Sequence, residues 1–93
     1  MYLIFDTETT GLPQNWKAPL TNFNNWPRCV QLAWQIHDKK GGLVEVKNYI
    51  VKPEGYDIPY NAEKIHGIST ELAIEKGVPI VDVLIEFINV SYI

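Results

Sequence analysis

The chain opens with a short apolar run that passes directly into acidic residues. Residues 2–5 are apolar, Asp6 and Glu8 follow at once, and Gly11 and Pro13 then interrupt any regular element. A run of this length is too short for a stable helix and is typical of a strand buried on both faces. We therefore predict a β-strand over residues 1–8, which other elements of the fold must cover.

Alternating patterns predict two further strands. In residues 29–37, Val30, Leu32, Trp34 and Ile36 fall on one face, with polar or small residues between them. A turn signal at residues 39–42 separates this stretch from a second β pattern in residues 43–51, which indicates a hairpin. With the first strand, these elements predict a three-stranded antiparallel meander.

The last third of the chain has helical patterns. Asn61 is placed to cap a short helix that Gly67 ends. Ser69 or Thr70 is placed to cap a second helix that ends at Gly77.

Pro79 suits the first turn of a third helix. Its apolar residues recur at i, i+3, i+4 and i+7, in the positions Val81, Leu84, Ile85 and Ile88. We expect this stripe to face the core. Three strands followed by three helices predict an α/β or α+β domain.

Composition excludes several classes of protein. The 93 residues are 46% hydrophobic, which is too high for a disordered chain, and the lone cysteine, Cys29, cannot form an internal disulfide. We find no signal peptide and no apolar run long enough to cross a membrane, so we expect a cytoplasmic protein without a membrane partner. The net charge of −3 argues against a basic phosphate-binding surface, although metal ions could still bind phosphates.

The pair Asp6 and Glu8 is the pattern that carries chemistry. Two residues apart on a strand, these side chains leave the same face, with Cα atoms roughly 6.6 Å apart. Such carboxylates can hold two Mg²⁺ or Mn²⁺ ions in the geometry used for attack on phosphodiesters. The same short pattern also occurs at solvated strand ends of purely structural domains. The apolar strand before the pair and the backbone room at Gly11 after it favour the metal site.

Three aromatic residues lie in the polar segment between the first two strands: Trp16, Phe23 and Trp26. Aromatic rings in such a segment can stack on the bases of single-stranded nucleic acid. They can also pack the segment onto the sheet, which is the interpretation that we favour because most aromatic side chains bury their area.

Three stretches resemble one known family. Residues 5–12, FDTETTGL, resemble the first motif of the DnaQ-like 3′–5′ exonucleases, the DEDD family with a ribonuclease H-like fold, which includes the proofreading exonuclease of bacterial DNA polymerase III. Residues 58–69, IPYNAEKIHGIS, are similar to the family's HGI(S/T) segment, and residues 27–33, PRCVQLA, fit the start of its second strand. The resemblance runs from residue 1 to residue 87.

The resemblance implies a site and a reaction. Asp6 and Glu8 match the first two acidic ligands of the catalytic metals, Mg²⁺ or Mn²⁺. The residues that match the pocket for the 3′-terminal nucleotide are Thr9, Thr10, Gly11, Leu12, Ile65 and His66. Leu12 is implied to be an apolar wedge against the bases. The implied reaction is hydrolysis of single-stranded DNA or RNA from the 3′ end, with a DNA polymerase as one candidate partner.

The family's later motifs are missing from this chain. An HNxxFD-like and an HxAxxD-like motif supply the remaining carboxylates and the general base in the family, and neither is present. Residues 1–93 are thus expected to be the N-terminal part of a single exonuclease domain, with an incomplete metal site and no activity alone. The alternative is a non-catalytic nucleic-acid-binding or assembly module with the same half-fold.

The missing strands also have a consequence for the sheet. In the ribonuclease H-like fold the first strand is central, and later strands cover one of its edges. An uncovered apolar edge promotes association. We therefore expect self-association through the first strand, incorporation into a longer protein, or coverage of the edge by the last helix.

Overall fold

The computed structural model describes residues 1–91, which form a three-stranded antiparallel sheet followed by three helices. The strands are β1 (Tyr2–Thr9), β2 (Cys29–His37) and β3 (Leu43–Ile50), in the spatial order β1-β2-β3. The helices are α1 (Tyr60–His66), α2 (Thr70–Lys76) and α3 (Ile80–Ser91). The predicted meander and the α+β class are confirmed.

The central strand β2 organises the core. Its alternate residues Val30, Leu32, Trp34 and Ile36 are all buried, as the sequence pattern predicts. The ring of Trp34 lies 5.4 Å from that of Phe87 on α3. Because β2 is paired on both edges and covered by α3 on one face, its apolar side chains lose almost all contact with water.

The edge strand β1 is less buried than the sequence predicts. Residues 2–7 are exposed, so burial on both faces is wrong. One face of the strand meets α3 through Phe5, whose ring packs edge-on against Phe87 at 5.4 Å. On the opposite face Ile4 stays exposed, and within residues 1–91 no strand pairs with the second edge. The apolar run indicates a strand that can be buried, but the described residues cover only part of it.

Helix α1 begins differently from the prediction. Its N-cap residue is Pro59, with no side-chain cap, and the Asn61 carboxamide instead accepts a hydrogen bond from the adjacent Ala62 N–H. Asn61 therefore lies within the first turn and leaves its side chain at the surface. The helix ends as predicted at Gly67, whose φ of +76° is the left-handed conformation that glycine adopts without strain.

Helix α2 confirms one of the two predicted caps. The hydroxyl of Ser69 accepts a hydrogen bond from the Leu72 N–H at 3.0 Å. The hydroxyl of Thr70 has a different role, since it accepts from the Ile58 N–H at 2.9 Å and ties α2 to the loop before α1. Ile58 and Ala73 are buried in the same cluster, so this bond joins two parts of the core.

Helix α3 packs through a different stripe from the predicted one. The residues that face the sheet are Ile80, Val83, Phe87 and Val90, of which Val83 is fully buried. The predicted stripe of Val81, Leu84, Ile85 and Ile88 is exposed. Apolar residues surround most of the helix, so the spacing alone fits more than one stripe. The stripe that contains Phe87 packs on the sheet because the Phe87 ring fits between Phe5 and Trp34.

A contact with β3 orients α3 on the sheet. Glu86 lies beside the Tyr49 hydroxyl and raises the pKa of Tyr49, first as a hydrogen-bond acceptor for that hydroxyl and then through its negative charge. On the helical wheel, Leu84 and Ile88 lie on the other side of the sheet-facing stripe from Glu86. Those two exposed side chains are therefore on the β1 side of the helix.

A short parallel bridge closes the fold. Val51, just after β3, pairs with Val78, and the Lys52 N–H donates to the Val78 carbonyl at 2.9 Å while the Val78 N–H donates to the Ile50 carbonyl at 2.8 Å. The connection between α2 and α3 is thereby held along the end of β3. Among residues 1–91 no helix is long and apolar enough to span a membrane.

Candidate active site

The turn after β1 is fixed against the start of β2. The Thr10 N–H donates to the Arg28 carbonyl at 3.0 Å, and the Arg28 N–H donates to the Thr10 hydroxyl at 2.9 Å. Within the turn, the Thr9 hydroxyl donates to the Gly11 carbonyl at 2.9 Å. Gly11 has a φ of +147°, which L side chains rarely adopt. The polypeptide at the end of β1 therefore has a defined path with backbone accessible at Gly11.

Helix α1 brings a second group of residues to this turn. Its buried residue Ala62 packs in the cluster that contains Val30 of β2. This contact holds the helix beside the β1 turn, and a cavity of about 560 Å³ lies between them. The residues that line the cavity are Thr7, Glu8, Thr9, Thr10, Gly11, Leu12, Asn61, Ala62, Ile65 and His66.

The cavity brings together all but one of the predicted site residues. Glu8, the four residues of the turn, Ile65 and His66 share one lining although more than 50 positions separate the turn from α1. Asp6 is the exception, since it lines a separate groove with Ala33 and Asn48. Asp6 and Glu8 are two residues apart on β1, and the strand period of two directs both side chains to the same face.

His66 has one ring nitrogen without a partner. Its Nδ1 accepts a hydrogen bond from the Ile68 N–H at 3.1 Å, so the neutral ring carries its hydrogen on Nε2. Nε2 is buried and has no hydrogen-bond partner within residues 1–91. A buried donor without an acceptor is costly, and a bound molecule that supplies an acceptor would remove that cost.

Two apolar side chains stand at the mouth of the cavity. Leu12 is 80% exposed and Ile65 is 83% exposed, although both contribute to the lining. Removing large exposed aliphatic side chains from water is favourable, so a flat apolar surface, such as a base or a sugar face, would bind here. The cavity therefore combines an apolar mouth with polar groups inside.

The acidic pair fits a metal site in part. Asp6 is exposed and Glu8 half-buried, and one oxygen of Asp6 accepts the Thr7 N–H at 2.9 Å, which leaves the other oxygen free. Two carboxylates on one strand face match the oxygen ligands that Mg²⁺ and Mn²⁺ prefer. Among the described residues no three His, Cys, Asp or Glu side chains cluster closely enough to hold a metal ion.

Sequence reasoning missed two α1 residues of the cavity. Asn61 was predicted only as a helix cap, and Ala62 was not singled out, yet both line the cavity. Asn61 lies four residues before Ile65, and Ala62 four before His66, so each pair shares a face of α1. That spacing is the signal that could have identified them.

The aromatic residues between β1 and β2 differ in their exposure to solvent. Trp26 is half-buried and its indole N–H donates to the Pro19 carbonyl at 2.9 Å within the same segment, so its packing onto the sheet stays a prediction. Trp16 and Phe23 are 70% and 71% exposed, and the favoured packing interpretation is wrong for both.

Comparisons with known proteins give structural matches. The chain matches E. coli exonuclease I in complex with a dT13 oligonucleotide at 26% identity and a TM-score of 0.62, over 83% of this chain and 15% of that chain. It matches an ExoI/SSB-Ct complex and a further exonuclease I structure at 25% identity and TM-scores of 0.62 and 0.63, with the same coverages. No protein-family model and no curated protein matches the chain.

These matches identify the class of the fold. The sheet and helices of this chain correspond to the ribonuclease H-like N-terminal region of the exonucleases, which confirms the predicted fold. By fold, the chain is therefore nuclease-like. It spans about 15% of the length of the exonucleases that it matches, so their activity does not transfer to it without further argument.

Proposed function

We propose that the chain forms the N-terminal part of the active-site domain of a metal-dependent 3′–5′ exonuclease that acts on single-stranded DNA or RNA. The observation that carries this proposal is the cavity at the end of β1, which unites Glu8 and the following turn with Ile65 and His66 beside Asp6. A cavity at the end of an apolar strand, lined by a carboxylate and by apolar side chains, suits a nucleotide attached to a metal-bound phosphate.

Asp6 and Glu8 are the residues that would hold Mg²⁺ or Mn²⁺. When bound, divalent ions at such a site activate water and stabilise negative charge on a phosphodiester. One oxygen of Asp6 makes no hydrogen bond and Glu8 lies at the cavity wall, so these carboxylates would hold the ions beside the nucleotide pocket. Glu8 thereby links the phosphate position to the nucleotide pocket.

The remaining lining residues would bind the terminal nucleotide. Leu12 and Ile65 flank the mouth and exclude water from the faces of the base or sugar. The His66 Nε2–H donates to an acceptor on the nucleotide, which gives this buried hydrogen a partner. Gly11 lets the ligand approach the backbone closely, because no side chain stands there.

Among the described residues, only Asp6 and Glu8 are proposed as metal ligands, and this small number favours a second candidate function. A site with two acidic ligands leaves the metal ions under-coordinated, so we expect the 93-residue chain to be inactive alone. A nucleic-acid-binding or assembly module without turnover is consistent with that shortage. A DNA polymerase partner and a cytoplasmic location stay predictions from the sequence.

A melting experiment tests the metal site. We expect Mn²⁺ to raise the melting temperature of the wild-type chain, because a ligand that binds only the folded state stabilises it, by about 2.7 kcal/mol at a hundred times Kd. The same addition should leave Asp6→Ala unchanged. The measurement is thermal unfolding followed by circular dichroism, with and without Mn²⁺, beside the control variant Asp38→Ala, which removes a carboxylate in the β2–β3 turn.

A parallel assay tests the reaction. A single-stranded oligonucleotide labelled at its 5′ end is incubated with the chain and Mg²⁺ or Mn²⁺. Shortening from the 3′ end that is lost in Asp6→Ala would show that another copy or chain completes the site. A Mn²⁺ effect without shortening supports the non-catalytic candidate, and a Mn²⁺ effect that persists in Asp6→Ala would refute the metal site.

We also infer that the chain self-associates through the free edge of β1. A folded monomer of 10.7 kDa exposes about 5,500 Å². This chain exposes 6738 Å², an excess of about 1,200 Å², whereas each partner in a standard complex buries about 800 Å². Phe5 on β1 contacts Phe87 of α3, and the exposed Leu84 and Ile88 lie on the β1 side of that helix, so a strand added at β1 would approach them.

Sedimentation at increasing concentration tests the association. We expect the wild-type chain to form dimers or larger species, and Ile4→Lys to shift it toward the monomer, because a charged side chain on an edge strand disfavours strand addition. The matched control is Val46→Lys, which places a lysine at an exposed apolar position of β3. A wild-type chain that stays monomeric at every concentration contradicts the inference.

A further inference from the structure

The segment between β1 and β2 is held together by its own hydrogen bonds, although it contains no helix or strand. Asn25 is buried, and its carboxamide makes two hydrogen bonds with the backbone of Asn15, accepting from the N–H at 2.7 Å and donating to the carbonyl at 2.9 Å. This clamp joins the two ends of residues 15–25. The bond from Trp26 to the Pro19 carbonyl adds a second attachment inside the loop.

The clamped loop presents aromatic side chains to solvent. Trp16 follows the first clamp residue and Phe23 precedes the second by two positions, and both rings are about 70% exposed. Folded proteins normally cover aromatic rings of this size. Since the loop is held by its own hydrogen bonds, the exposed rings are positioned before any ligand arrives, which reduces the entropy lost on binding.

The charge of this loop is opposite to that of the rest of the chain. Residues 11–28 contain Lys17 and Arg28 and no acidic residue, so their formal charge is +2. The whole chain has a net charge of −3, so the remaining residues carry −5. A positive segment with exposed aromatic rings is the combination that binds single-stranded nucleic acid, because cations meet the phosphates while rings stack on bases.

The loop is continuous with the cavity described above. Gly11 and Leu12 begin the loop and line the cavity, and the loop returns to the sheet at Arg28, which is hydrogen-bonded to Thr10 of the same lining. We propose that Trp16 and Phe23 form a base-stacking surface for the nucleotides that precede the 3′-terminal one. This inference rests on the proposed function for which end of the nucleic acid enters the cavity. The stacking of bases on the rings and the attraction of phosphates to the cations require neither a bound metal nor turnover.

Equilibrium binding to two probes tests this surface. A labelled single-stranded thymidine oligonucleotide and the mononucleotide dTMP are titrated with the wild-type chain, Trp16→Ala and Phe23→Ala. We expect each variant to weaken oligonucleotide binding by about tenfold and to leave dTMP binding unchanged. Lys17→Ala should lower the salt dependence of oligonucleotide binding, by about 0.7 in the log–log slope for one lost phosphate contact.

Control variants separate stacking from a merely structural effect. Trp16→Tyr keeps an aromatic face and should retain most of the affinity that Trp16→Ala loses. Tyr2→Ala removes an exposed aromatic ring at the far end of β1 and should have no effect. Equal affinities for the wild type, Trp16→Ala and Phe23→Ala, or no oligonucleotide binding by the wild type, overturn the base-stacking surface.

The same titrations in Asp6→Ala distinguish this inference from the proposed function. If oligonucleotide binding depends on Trp16 in both chains, while neither dTMP nor Mn²⁺ binds even the wild-type chain, the stacking surface is supported and the exonuclease site is rejected. If Trp16→Ala and Phe23→Ala instead change only the sedimentation of the chain, the rings form a protein interface and the stacking surface is wrong.

Discussion

Trp34→Ala is expected to remove most of the stability of this chain. The side chain is 2% exposed and lies against Phe87 and Tyr49, with ring centroids at 5.4 and 5.8 Å. Truncation of a buried tryptophan costs about 3–5 kcal/mol through lost burial and a residual cavity. A domain of this size has a total stability of about 5–14 kcal/mol, and the exposed β1 puts this chain at the lower end. Urea unfolding followed by circular dichroism measures the change.

Trp34→Phe provides the matched control. The indole N–H of Trp34 is buried without a hydrogen-bond partner in the described part of the chain, and such a group costs about 1–3 kcal/mol. Phenylalanine removes that donor and keeps an aromatic ring, so we expect a loss of less than about 1.5 kcal/mol. A Trp34→Ala chain within 1 kcal/mol of the wild type would mean that α3 does not pack on β2 as described.

Gly77→Ala is expected to produce the second large loss. An added Cβ would contact the Ala73 carbonyl and would lie 2.6 Å from both the Cα and the N of Lys52. These are backbone atoms in the parallel bridge between Val51 and Val78, so they cannot rotate away. Overpacking costs about 1–3 kcal/mol, and we expect the upper end because relief requires the α2–α3 connection to leave β3.

Gly42→Ala tests whether the loss comes from the bridge. Its Cβ would meet only the Asp38 side chain, at 2.8 Å from Oδ2, and this side chain can adjust at the expense of its two turn hydrogen bonds, whereas backbone cannot. We expect a loss below about 1 kcal/mol in urea unfolding. In Gly77→Ala, hydrogen exchange should accelerate at the amides of Lys52 and Val78, whereas the amide of Trp34 should be affected only through global stability. Unchanged exchange at those two amides would contradict the steric explanation.

The sequence predicted the strands better than their burial. Alternation in β2 was enough because one face of the strand is apolar and the other is not. For β1 the pattern indicates that a strand can be buried, but whether it is buried depends on neighbours that lie far away in the sequence. In α3 the apolar residues cover most of the circumference, and the choice of stripe was made by the fit of Phe87 between Phe5 and Trp34.

The sequence indicated individual candidate site residues, but it did not indicate the contacts that bring them together. A strand period of two places Asp6 and Glu8 on one face, and the resemblance pointed to the turn and to Ile65 and His66. The alignment of α1 with that turn depends on Ala62 packing against the Val30 cluster, a contact with no local signal. The same is true of the loop, where Asn25 is hydrogen-bonded to Asn15 while Trp16 and Phe23 stay exposed.

The order of the strands in the sheet bears on how the chain folds during its synthesis. Each strand of the meander pairs only with the next one in the sequence, so β1 and β2 can join before β3 has left the ribosome. Such consecutive pairings favour rapid folding. The exception is the bridge of Val51 with Val78, which forms only after α1 and α2 are made. A nascent chain would therefore hold the three described strands already paired, with helix α3 still free to dock.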